Sequence, residues 1–73
     1  MAEDIGLEEF LRLKAEGVFT PKEVAYHLGY SVSYVYQLVY EGKLPVLRWR
    51  GRILVRKRDL DEFVRRHLKE GVG

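Results

Sequence analysis

Apolar positions along the 73-residue chain keep a helical spacing, switch to strict alternation near the middle, and then return to helical spacing. Leu7, Phe10 and Leu11 form a short i, i+3, i+4 stripe, with Glu8 and Glu9 near its start and Gly17 at its end, which predicts an N-terminal helix. Thr20-Pro21-Lys22-Glu23 then sets a hydroxyl before a proline suited to the first helical turn. A glutamate three residues after the cap can reach back to it. Val24, Ala25 and Leu28 supply the inward stripe of this second helix, and Gly29 stands where a left-handed residue ends it. Ser31 can cap the next helix, in which Val35, Leu38 and Val39 share a face until Glu41-Gly42 and Leu44-Pro45 stop it.

After Pro45 the alternation begins. Leu47, Trp49, Ile53 and Val55 take one parity on either side of Arg50-Gly51, and Val46, Arg48, Arg52, Leu54 and Arg56 take the other. We read this as a hairpin with the first set sharing one face, although Arg-Gly leaves the turn type open. From Asp59 onward Leu60, Phe63, Val64 and Leu68 return to helical spacing, with acids in the first turn. A last helix follows, expected to end near Gly71. Helix, two-residue break, helix, hairpin and helix is the plan of a winged helix-turn-helix. The expected fold is mainly α with a small β-hairpin, a winged domain over 18–70 preceded by a helical extension over 1–17.

The chain is short enough for one domain, and its hydrophobic share of 47% is that of a folded one. With no cysteine there are no disulfides, no stretch reaches the apolar length of a membrane span, and the acidic start lacks the features of a signal peptide. A cytoplasmic protein with no membrane partner is the expectation. The net charge of +2 is unevenly spread: residues 1–27 carry −3, residues 28–58 carry +6, and residues 59–73 carry −1. Positive charge gathered on the second half of the motif and on the hairpin suits a polyanion, because each cation that meets a phosphate releases condensed counterions. The competing reading is a solvated basic face.

The run FTPKEVAYHLGYSVSYVYQLVYEGKLPVLRWRGRILVRKRDLDEFV resembles the excisionase-type, MerR-like winged helix-turn-helix domains. Thr20, Glu23-Val24-Ala25, Leu28-Gly29, Ser31, Val35-Tyr36, Leu38, Glu41-Gly42, Leu44-Pro45, Arg48, Arg52, Asp59-Leu60 and Phe63 carry it. The resemblance implies a double-stranded DNA partner and a recognition helix over about 31–41. Ser31-Val32-Ser33-Tyr34 and Gln37 replace the cationic residues usual there, and Arg56 stands where the family favours a small or capping residue. Regulators of the MerR type continue into a dimerising coiled coil. Here Lys69 to Gly73 hold no heptads, so a monomer is expected, pairing through the Leu7-Phe10-Leu11 face or cooperatively on DNA.

If the second helix of the motif enters a major groove, Ser31, Val32, Ser33, Tyr36, Gln37 and Tyr40 form its outward face. Gln37 can pair bidentately with adenine, Val32 can meet a thymine methyl, and the tyrosines can donate to phosphates. Lys43, Arg48, Arg50 and Arg52 place cations at the helix end and on the hairpin, where arginine suits a narrow minor groove or its phosphates. Arg56, Lys57 and Arg58 suit backbone contact. Trp49 reads as a packed anchor of the hairpin. Tyr26, Tyr30 and Tyr34 are equally suited to covering the core edge and to touching DNA.

No phosphate-cradling glycine loop or nucleophile elbow is present, and His27 and His67 lack cysteine partners. Catalytic residues, a metal, a cofactor and a small-molecule ligand are therefore not expected, and His67 reads as a half-buried residue on the last helical stripe. Transcription control or an accessory role in site-specific recombination leads. A phage packaging module of the small terminase kind, or a protein-interaction module for an acidic partner, are the rivals.

Overall fold

The computed structural model describes residues 3–67. Its elements in chain order are β1 (Glu3–Asp4), α1 (Leu7–Glu16), β2 (Val18–Phe19), α2 (Pro21–Leu28), α3 (Val32–Tyr40), β3 (Leu47–Trp49), β4 (Arg52–Arg56) and α4 (Lys57–His67). The expected helix end near Gly71 and the stripe position Leu68 lie outside the described residues.

The helix starts follow their caps. Thr20 Oγ1 accepts from the Glu23 N–H at 3.1 Å and the Thr20 N–H donates back to Glu23 Oε1 at 2.9 Å, a reciprocal box that satisfies two backbone donors. Gly29 closes α2 in the left-handed region, and Ser31 Oγ accepts from the Tyr34 N–H at 3.1 Å, so α3 begins four residues after α2 ends. Val24, Ala25, Val35, Leu38, Leu44, Val55, Leu60 and Phe63 form the core between the three helices and the sheet. Burying each of its large aliphatic side chains contributes about 1.5–3 kcal/mol.

The sheet has the order β1-β3-β4-β2. β3 and β4 form the hairpin, with Leu47 opposite Leu54, Arg48 opposite Ile53 and Trp49 opposite Arg52. Two short strands that hydrophobic patterning does not reveal complete it: β1 runs parallel to β3, and β2 antiparallel to β4. The register corrects the expected hairpin faces. Across a two-residue turn the paired positions have opposite parity, so Leu47, Trp49, Arg52 and Leu54 share one face, while Arg48, Ile53 and Val55 share the other. Leu54 and Val55 are neighbours and both are buried, because both faces of β4 are covered. Val55 joins the core under α2, α3 and α4. On the opposite face α1 lies over the hairpin, with the Phe10 ring stacked on Trp49 at 4.5 Å and 7°.

That docking also corrects the expected stripe of α1. Phe10 and Leu13 face inward, whereas Leu7 and Leu11 stay 58% and 55% exposed. The flat Trp49 ring offers Phe10 a stacking partner, which rotates the i, i+3 pair of Phe10 and Leu13 onto the sheet. α4 begins at Lys57, two residues before the expected Asp59. Its first backbone N–H donates to the Gly17 carbonyl at 2.9 Å, so the chain leaving α1 takes the place of a capping side chain. His67, expected to be half-buried, is exposed: it follows Phe63 by one turn at the rim of the core, with the Phe63 ring against it at 4.4 Å.

Candidate nucleic-acid interface

Because Val35 and Leu38 point into the core, the opposite side of α3 faces solvent. Val32, Ser33, Tyr36, Gln37 and Tyr40 are all exposed, Tyr36 at 36% and Tyr40 at 85%. Positions 33, 36, 37 and 40 repeat at helical spacing and make one outward face about two turns long. Ser31 is exposed as well, but its oxygen is committed to the cap of α3. Of the remaining tyrosines, Tyr30 is half-buried against the core, Tyr34 meets it edge-on at 4.9 Å, and Tyr26 is 83% exposed and covers none of the core.

The amide of Gln37 is not loose. Its Nε2–H donates to Glu41 Oε2 at 3.1 Å, and Glu41 Oε1 lies 3.4 Å from Lys43 Nζ. The hydrogen bond from Gln37, with that from Lys43 behind it, holds the Glu41 carboxyl below its usual range. Glu41 is the residue that sequence reasoning passed over, although an i, i+4 Gln–Glu pair was there to be read. A carboxylate only accepts, so the bond also fixes which end of the Gln37 amide is nitrogen. One N–H is taken, and the carbonyl and the second N–H remain for a base edge.

The arginines of the hairpin point three ways. Arg48 shares the Ile53 face and lines a groove with Val39 and Tyr40 at the end of α3, and its Nε is 4.0 Å from Asp4 Oδ1. Arg50 forms the tip with Gly51, at φ of 51° and 78°, the signs a type I′ turn needs. An arginine in the left-handed region stores about 1–3 kcal/mol of strain. The Arg50 guanidinium lies 5.3 Å from the centre of the Trp49 ring, an attraction that offsets part of it. Arg52 sits on the opposite face from Arg48, in a groove with Phe10, Lys14, Trp49 and Arg50.

The basic run after the hairpin is mostly occupied. Arg56 Nε donates to Asp59 Oδ2 at 2.8 Å and is half-buried, which ties the hairpin exit to the first turn of α4. Lys57 pairs with Asp61 at 2.8 Å, and Arg58 lines a groove with Glu16, Asp61 and Arg65 rather than with any residue of α3. The structure therefore brings Arg48 beside the end of α3, ties Lys43 to Glu41 just after that helix at a groove shared with α4, places Arg50 and Arg52 at and beyond the tip, and leaves Arg56 to Arg58 around the start of α4.

No helix among the described residues is long and apolar enough to cross a membrane. A family model described as a helix-turn-helix domain matches residues 18–68, which spans α2, α3, the hairpin and α4 and begins after α1. Comparison with curated proteins and with solved structures returns no match.

Proposed function

The chain belongs to the excisionase-like helix-turn-helix family of DNA-binding domains, and from that premise we propose that it prefers particular double-stranded sequences, laying α3 in the major groove and the hairpin along the adjacent minor groove and backbone. The observation that carries this reading is the two-sidedness of α3. Val35 and Leu38 anchor it, while Val32, Ser33, Tyr36, Gln37 and Tyr40 are exposed together on a helix narrow enough for the groove.

The outward face holds no cation, so its readout rests on hydrogen bonds and apolar contact. Gln37 matches the adenine edge, Val32 the thymine methyl, and Ser33 accepts or donates at either. Affinity then comes mainly from Lys43, Arg48, Arg50 and Arg52. Occupying or bending a site is the whole of the activity, in transcription control or beside a recombinase, in a cytoplasmic setting.

Titration of a labelled duplex over a salt series tests it. Four to six phosphate contacts give a log–log slope of about −4 to −5. A slope near zero on both random and selected duplex would overturn the DNA reading and favour a module that binds an acidic protein.

A further inference from the structure

Resting on that DNA-binding reading, we infer that Lys14 of α1, which lies before the region matched by the family model, works with Arg52 as a second phosphate contact on the far side of the hairpin. A hairpin lying in a minor groove has one sugar–phosphate strand on each side. Its register sends Arg48 to the α3 side and Arg52 to the α1 side, so the far strand is met by whatever stands beside Arg52. That neighbour is Lys14, which lines the same groove.

Lys14 is held there by an aromatic column. Its Nζ lies 5.8 Å from the centre of the Phe10 ring, Phe10 stacks on Trp49 at 4.5 Å, and the Arg50 guanidinium lies 5.3 Å from Trp49. The column ends in a cation on the helix and a cation at the hairpin tip, so part of the cost of ordering both is met before DNA arrives. The charge state of the groove agrees. Among the described residues neither Lys14 nor Arg52 makes a salt bridge, whereas Lys43, Arg48, Arg56, Lys57 and Arg66 each do. Glu23 also lines this groove, but one of its oxygens accepts from the Thr20 N–H in the cap of α2. Two unpaired cations flanking a half-buried aromatic stack fit a phosphodiester strand.

The test compares salt slopes for the full chain with Lys14→Met, which keeps an apolar stem against Phe10, and with Lys14→Arg, which keeps the charge. Loss of one contact lowers the slope magnitude by about 0.9 and weakens binding about fivefold at 0.15 M salt, equally on random and selected duplex. Lys14→Arg restores both. Trp49 is the only tryptophan, so its emission must also change when duplex is added. A Lys14→Met slope equal to that of the parent, or an unchanged Trp49 emission during saturable binding, would overturn this inference while leaving the DNA reading in place. A parent slope of zero would remove both.

Discussion

Replacing Gln37 by alanine separates base reading from general attraction. Gln37 is exposed and, among the described residues, its side chain is bonded to Glu41 alone, so its loss should move folding stability by no more than about 0.5 kcal/mol. The bond to Glu41 uses one N–H and leaves the carbonyl and the other N–H for adenine N6 and N7. Nothing has to be broken when the base is met. The full value of a bidentate pair is then at stake, about 1–3 kcal/mol, or about 5- to 150-fold in Kd on the preferred site. The assay is anisotropy on a site found by selection and on its single-base-pair variants. Gln37→Ala should flatten the preference at one position and leave the rest of the profile intact. Arg52→Ala, by contrast, should weaken every duplex by a similar factor. An unaltered profile for Gln37→Ala would refute the placement of α3, because a helix docked as proposed cannot present its central amide to a base without discriminating there.

Two further outcomes follow from the local geometry. Gly17 has φ of +121°, and a Cβ there would sit 3.3 Å from Lys57 Cβ, so Gly17→Ala should cost about 1–3 kcal/mol and lower Tm at the junction of α1 with α4; an unchanged melting curve would contradict it. The Glu41 carboxyl, held down by Gln37 and Lys43, should titrate below its ordinary value of 4.5 in an NMR experiment and return toward it in Gln37→Ala. Its tie to Gln37 is accordingly present at neutral pH and lost only as acid carries the group through that lowered midpoint, so binding measured between pH 6 and 8 should show no contribution from it.

The elements whose identity depends on local chemistry were readable from the chain. Thr20 and Glu23 form the predicted box, Ser31 caps where expected, and Gly29 makes the break, because a cap needs only residues within a turn of one another. The outward face of α3 was readable for the same reason: the burial of Val35 and Leu38 determines which side is left over. What pattern alone missed depends on tertiary partners. β1 and β2 are two residues each, too short to carry an alternation, and they exist because β3 and β4 have free edges. The stripe of α1 was misjudged because Trp49, far along the chain, decides which side of the helix turns inward, with Leu13 rather than Leu7 and Leu11 beside Phe10.

The hairpin shows how a small error of register changes a functional reading. Counting parity through Arg50-Gly51 as though the strand were continuous puts Trp49 with Ile53 and groups Arg48 with Arg52. The two-residue turn reverses that relation, and each consequence is physical. Trp49 now shares its face with Arg52 and Leu54 and is free to stack on α1, so the N-terminal helix becomes part of the hairpin's support. Arg48 and Arg52 no longer reinforce one another on a single surface. They address opposite sides of any groove the hairpin enters, with Arg50 between them at the tip. A basic stretch that seems redundant in one dimension, five arginines between residues 48 and 58, is thereby divided in three: one cation toward α3, two toward the tip and α1, and two at the start of α4, where Arg56 is bound to Asp59 and Arg58 lines a groove with Glu16 and Asp61. Net charge measures none of this; in the proposed docking the first two groups are the ones that meet phosphate beside the outward face of α3.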